Sequence, residues 1–493
     1  MKRSLIACLL TGTLCGTALP AFAQQGDGTN VTMSTTIFKP AKVPATPERM
    51  ATIKAPPGFM VTAFATGLKN ARVLATAPDG AIYLSRRDQG DVLLLRDRDG
   101  DGKADGAPIT VANRAGAHGI AVHDGQFYLV TVKELFVADI LSDGRLGPLK
   151  LLAGDLPDGG QHGNRTLAWG PDDMLYISAG STCNACNESN PESATILRVA
   201  PDGKSRTIFA SGLRNTIGFG WQPQTGELWG FDNGIDYLGD DDQPEEFNKI
   251  EHGKQYGWPH AYGANKIYPQ TTPPGDITKE EWAARSAPMT LGYAAHAAPM
   301  EMLFYSGGSF PAEFNGDAFV TMRGSWNRKA PTGYEIVRIR FNQGQAQSIE
   351  PFVSGFLSDG GQTHFARPMG LTMAKDGALL MADDANGVIY RIAYAGASGA
   401  AAAPALPPGD AMLRQATMGS GVELALKRVG ARDDKAIKVK SSGFGNQSAI
   451  PLKYTEYADG VSPPLSWSPV PGAVSYVIIA EDPDARPIVP FVH

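Results

Sequence analysis

One strand–turn–strand unit, met six times between Phe59 and about Tyr394, constrains this chain more than any other feature. The copies read VLATAPDGAIYLS (73–85), GIAVHDGQFYLVT (119–131), TLAWGPDDMLYIS (166–178), IGFGWQPQTGELWGF (217–231), FPAEFNGDAFVTM (310–322) and PMGLTMAKDGALLMA (368–382). Each joins two apolar runs through a Gly- or Asp-bearing turn, which is a hairpin signal. Hairpins returning every 40–60 residues describe a propeller, because no single unit can bury its faces until a ring of neighbours closes. The expected fold is therefore all-β, a six-bladed β-propeller over residues 51–395. The widest gap, between the fourth and fifth copies, predicts an insertion near 259–305 that carries a short helix at KEEWAARS.

Before the repeats, Lys2 and Arg3, the apolar stretch to Leu19 and Ala21-Phe22-Ala23 form an export signal over residues 1–23. Its apolar core is short for a membrane span, so a periplasmic protein with no transmembrane segment in the mature chain is expected. Residues 24–50 are polar and read as a loose lead-in. A net charge of −6 argues against nucleic acid as a partner. Cys8 and Cys15 leave with the signal, and Cys183 and Cys186 remain as a CxxC pair. Asn187 excludes haem attachment, zinc would need two further ligands, and in an oxidising compartment a local disulfide is the expectation.

Arg72, His118, Arg165, Arg214 and Arg367 each stand just before the first strand of a copy. Equivalent positions in a propeller meet at one end of the channel, so these residues predict a positive well for an anion with several carboxylates. His162, in QHGNR before the third copy, is a candidate general base with a suitable ordinary pKa. Asp97, Asp99, Asp101 and Asp105 occupy positions 1, 3, 5 and 9 of a calcium loop with glycine at 6. Pro108 at position 12 excludes a complete EF-hand and leaves a structural calcium or an acidic turn.

The stretch from Gly212 to Pro259, together with Gly180–Cys186 (GSTCNAC) and Arg323–Arg328 (RGSWNR) followed by Pro331-Thr-Gly-Tyr334, resembles the soluble glucose/sorbosone dehydrogenases, in their sorbosone-type branch. Those enzymes use pyrroloquinoline quinone (PQQ). The resemblance implies His162 as catalytic base and PQQ contacts from Arg214, Asn215, Arg323, Arg367, Arg72 and Arg165. It also implies Ca2+ held over the quinone by the backbone carbonyls of Gly234 and Ile235. Phe365 stands where relatives carry a second arginine. The implied reaction is oxidation of an aldose or a sorbosone-like sugar, with electrons passing on to an unidentified acceptor. A calcium-dependent propeller hydrolase of lactonase type would need acidic and amide side chains converging in the channel. A non-catalytic docking propeller would need neither the basic ring nor His162.

After Tyr394 the composition changes. Residues 396–412 are an Ala/Pro/Gly linker. Residues 413–493 carry SPPLSW, DPDA and PFVH, and resemble the first part of a phosphatidylethanolamine-binding protein (PEBP) domain. The implied element is an incomplete PEBP-like β-sandwich whose pocket residues are Asp482 and His493.

Overall fold

The computed structural model describes residues 35–395 apart from 270, 307 and 308, together with short segments between 437 and 492. The signal segment, the linker, the Asp482 side chain and His493 lie outside the described residues.

The described chain is nearly all β, with two short α-helices, Pro47–Met50 and Lys279–Arg285. Residues 59–394 form six four-stranded antiparallel sheets. The first five follow chain order, with first strands Leu74–Thr76, Ile120–His123, Leu167–Trp169, Thr216–Trp221 and Pro299–Phe304. The sixth takes Pro368–Met373, Leu379–Asp383 and Val388–Tyr394, and its outermost strand is Phe59–Ala65 from the other end of the chain. The hairpin turns owe their shape to side chains at the predicted places. Asp79 Oδ1 accepts the Ala81 N–H and Asp376 Oδ1 that of Ala378, while Gly80 and Gly377 take the positive φ of 95° and 85° that closes each turn.

The first strands approach each other backbone to backbone. A Cβ on Gly218 would lie 2.1 Å from the Met300 carbonyl oxygen, and one on Gly370 would lie 2.1 Å from that of Arg72. Each sheet is bonded to the next at one end. Ser85 Oγ donates to the His118 carbonyl, His118 Nδ1 to that of Arg165, and Thr166 Oγ to that of Ile217. Asn233 Nδ2 donates to the Pro299 carbonyl, Thr321 Oγ to that of Met369, and Arg72 Nη1 to the Asp384 carboxylate, which joins the sixth sheet to the first.

Three expectations are corrected. The fifth unit begins at Pro299–Phe304, not at Phe310. Phe310 precedes and Phe314 ends a short 3-10 turn, and both fill an aromatic nest with Phe59, Phe319 and Phe352, so their apolar spacing reflects packing rather than a strand. The insertion occupies residues 251–290, between the last two strands of the fourth sheet, with its helix capped by a Thr278–Glu281 capping box. Finally, residues 38–54 are not loose. Ala41–Lys42 pairs with Thr363–His364, Phe38 bridges to Asn327 and Lys54 to Ser354. In the C-terminal part, Val439–Ser441 pairs with Leu465–Trp467, and Glu481–Asp482 with Phe491–Val492.

Candidate active site

The end of the ring where the six first strands begin gathers most of the predicted residues. His162 follows the glycine pair Gly159-Gly160 in a single 3-10 turn. The turn is tied to the next loop by Gln161 N–H to the Thr182 carbonyl and His162 N–H to that of Ser181. His162 Nδ1 lies 2.8 Å from Ser181 Oγ and 3.1 Å from the Ser181 carbonyl. Ser181 Oγ gives its own proton to the Cys183 carbonyl at 2.6 Å. Nδ1 therefore carries the imidazole proton, and Nε2 is left as a lone pair. Burial, then the charge of Arg214, push the His162 pKa well below its ordinary value, so the ring is neutral at pH 7. Gly180 allows Asn215 to stand against this histidine: a Cβ there would meet His162 Cβ at 2.7 Å and Asn215 Oδ1 at 2.9 Å.

Arg214 is buried, with side-chain donors reaching the Asn184 carbonyl, Asn184 Oδ1, the Asn233 carbonyl and Asp236 Oδ2. The next loop, Asn233–Asp236, is fixed by its N–H groups: Gly234 donates to Glu245 Oε2, Ile235 to Gln243 Oε1 and Asp236 to Asn184 Oδ1. Asp236 Oδ1 also accepts from Asn327, the asparagine of RGSWNR. That motif is a folded loop, with Ser325 and Thr332 exchanging hydrogen bonds and Tyr334 OH closing on the Ser325 carbonyl.

Across the ring, Arg72 and Arg323 share the Asp384 carboxylate at 2.5 and 2.8 Å, and Arg367 donates to the Arg323 and Gly324 carbonyls. Burial pushes the Arg72 pKa down to about 10, and the neighbouring charges of Arg323 and Arg87 add to the fall. Burial raises the Asp384 carboxyl, but Arg323, Arg72 and Arg367 outweigh it and hold it well below the usual carboxylate range.

Two members of the expected cationic ring behave otherwise. Arg165 is fully buried, and its donors reach the carbonyls of Val132, Pro157, Asp158 and His162. It braces the histidine loop instead of facing a ligand. His118 donates from Nδ1 to the Arg165 carbonyl and accepts Arg72 at Nε2, and burial pushes its pKa down, so it is neutral. Phe365 is wholly buried against Phe356.

Cys183 and Cys186 form a disulfide beside the histidine loop. Asp97, Asp99 and Asp105 converge within 4.8 Å at the opposite end of the first sheet, next to the Arg96–Asp79 pair of the hairpin turn. Asp101 is not among them. Its carboxylate accepts the Lys103 N–H and faces the Lys103 ammonium at 3.9 Å.

Sequence reasoning missed Asp384, Arg87, Asp236 and Asn184. Asp384 had a signal. Asp232 and Asp383 both end a second strand and both accept the N–H of the arginine heading their sheet, Arg214 and Arg367. The residue after each, Asn233 and Asp384, then reaches the adjoining sheet.

The family model described as TrAA12-like matches residues 53–395, and the model for phosphatidylethanolamine-binding protein matches residues 440–493. An uncharacterized protein from Borreliella burgdorferi is 28% identical over 379 residues, spanning 73% of this chain and 96% of its own. The calcium structure of a Trichoderma reesei carbohydrate-active enzyme of family AA12 superposes with a TM-score of 0.63 at 21% identity, covering 71% of this chain and 98% of its own. The holo PQQ domain of pyranose dehydrogenase from Coprinopsis cinerea gives 0.60 at 18% identity, covering 73% of this chain and all of its own.

Proposed function

The chain belongs to the TrAA12-like family over residues 53–395, and from that premise we propose that it is a PQQ- and calcium-dependent dehydrogenase that oxidises an aldose or a sorbosone-like sugar. On this reading the six sheets are the blades of a six-bladed propeller, residues 1–23 direct export to the periplasm, and a PEBP-like module follows the linker.

The observation that carries the proposal is the state of His162: neutral, with its proton fixed at Nδ1 and a lone pair left at Nε2, next to Asn215 and within the field of Arg214. Nε2 is thereby set to take the proton of a sugar hydroxyl or aldehyde hydrate. Arg214 hinders protonation of the ring before substrate arrives.

The residues also suit the cofactor. Arg323 and Arg87 act on Arg72, and Arg323, Arg72 and Arg367 all act on Asp384. Such a gathering of guanidinium groups fits an anion bearing several carboxylates. The Asn233–Asp236 loop offers only oxygen donors, carbonyls and the Asp236 carboxylate, which suits calcium. Arg72, Arg323 and Arg367 would hold the carboxylates of PQQ, with Arg214 and Asn215 beside its quinone and Gly234 and Ile235 toward the calcium. When bound, PQQ supplies the two-electron acceptor and calcium the Lewis acid. Electrons then leave to an acceptor outside this chain.

Titration with PQQ and Ca2+, followed by dye reduction with aldoses and sorbosone-like aldehydes, tests the reading. Saturable, calcium-dependent quinone binding with turnover is expected. Absence of quinone binding would overturn it and favour a lactonase-type hydrolase or a docking propeller.

A second calcium is proposed at Asp97, Asp99 and Asp105. Ca2+ at a hundredfold excess over its Kd should stabilise the apo protein by about 2.7 kcal/mol, and Asp99→Asn should abolish that part of the gain. Parallel melting curves of wild type and variant, with and without Ca2+, provide the check.

A further inference from the structure

The loop closed by the Cys183–Cys186 disulfide touches both halves of the site. Cys183 supplies the carbonyl that takes the Ser181 hydroxyl proton, and that hydroxyl faces His162 Nδ1. Asn184, held between the two cysteines, accepts Arg214 Nε at its carbonyl and Nη2 at Oδ1. Its Nδ2 donates to Asp236 Oδ2, its Oδ1 accepts the Asp236 N–H, and Trp258 Nε1 donates to its carbonyl. Ser181 is wholly buried, Asn184 nearly so, and the Ser181 N–H is tied to the Arg214 carbonyl at 2.7 Å. The run Ser181–Asn184 thus aims a base and a cation together, and the Cys183–Cys186 disulfide clamps its second half.

We propose that the segment 181–186, clamped by its disulfide, is the positioning element of the site, with Ser181 fixing the tautomer of His162 and Asn184 fixing Arg214 against Asp236. The assignment of roles rests on the dehydrogenase reading, whereas the placement of the proton on His162 does not. A hydroxyl is suited to the task because it passes the imidazole proton's orientation to a carbonyl without adding charge beside the base. The clamp holds its three-residue spacing against the entropy of an open loop.

The test uses the full chain with 15N-labelled histidine. His162→Gln assigns its signal among the eight histidines. In the cofactor-free wild type the nitrogen shifts should report one tautomer, protonated at Nδ1. In Cys183→Ala/Cys186→Ala they should move to the average of an exchanging pair while the far-UV spectrum is retained, and in Ser181→Ala they should move part of the way, since the Ser181 carbonyl still faces Nδ1. With PQQ and Ca2+, Ser181→Ala should lower kcat about tenfold or more with PQQ affinity kept. Asn184→Ala should weaken PQQ binding about tenfold or more, as loss of hydrogen bonds to a charged group implies. The double cysteine variant should do both. A folded double cysteine variant with wild-type nitrogen shifts would overturn the proposal, as would unchanged PQQ affinity in Asn184→Ala. If the wild type binds no PQQ, the dehydrogenase reading fails, and the nitrogen shifts still decide whether the loop positions His162.

Discussion

His162→Ala is expected to lower kcat about a thousandfold while PQQ and Ca2+ remain bound, within the range that general base catalysis contributes. The histidine is half-buried, and its Nδ1 side is occupied by Ser181. Truncation removes the lone pair at Nε2 but leaves the hydrogen bonds of Arg214, Asp236 and the Asp384 cluster described above in place. The loop itself is braced independently by Arg165, through the carbonyls of Pro157 and Asp158. The wild-type pH profile supplies a second reading. Burial and Arg214 lower the pKa of His162, so the neutral ring persists as pH falls through 6.5, and the acid limb of kcat/KM should lie below that value. Steady-state kinetics across pH, with quinone binding followed by absorbance, measures both. A variant that loses quinone binding in parallel with turnover would assign His162 to binding rather than to proton transfer.

Asp384→Ala should destabilise the cofactor-free protein by about 3–5 kcal/mol, the usual cost of removing one partner from a buried ion pair. Its side chain is 3% exposed and bridges Arg72 and Arg323, with Arg367 close by. Without the carboxylate those largely buried guanidinium groups repel one another. PQQ should restore more stability to the variant than it adds to the wild type, because its carboxylates can take the place of the missing one. The pH dependence has a definite sign. Asp384 titrates lower in the folded protein than in the unfolded chain, so its contribution is complete above about pH 4 and fades only as pH falls further. Urea unfolding of apo and holo forms gives both quantities, and equal apo stabilities would sink the argument.

The periodic parts of this molecule were legible because hairpin chemistry is local. Five of six units begin where their apolar runs and Asp-Gly turns place them, and Arg72, Arg214 and Arg367 head their strands as their positions imply. The fifth unit was misplaced because Phe310 and Phe314 imitate a strand's apolar density while serving a ring-packing role set by Phe59, some 250 residues earlier. The sequence also suggested more positive charge than the site holds. Whether an arginine ends on carbonyls or on a carboxylate depends on what neighbouring loops present to it, as the contrast between Arg165 and Arg72 makes plain. Asp384 and Asp236 were hidden for the same reason, since each has partners contributed by other sheets, Arg72 and Arg323 for Asp384 and Asn184 and Asn327 for Asp236.

Phe59–Ala65 completes the sixth sheet, and Arg72 meets Asp384 across the same seam. The charge cluster proposed to hold an anion is therefore assembled from residues more than 300 positions apart. Synthesis delivers Arg72 early and Asp384 late. Until the last sheet is made, the arginines are single, hydrated side chains with little hold on a polycarboxylate. On the proposed reading, cofactor capture is thus deferred to the end of folding, when the circle is joined.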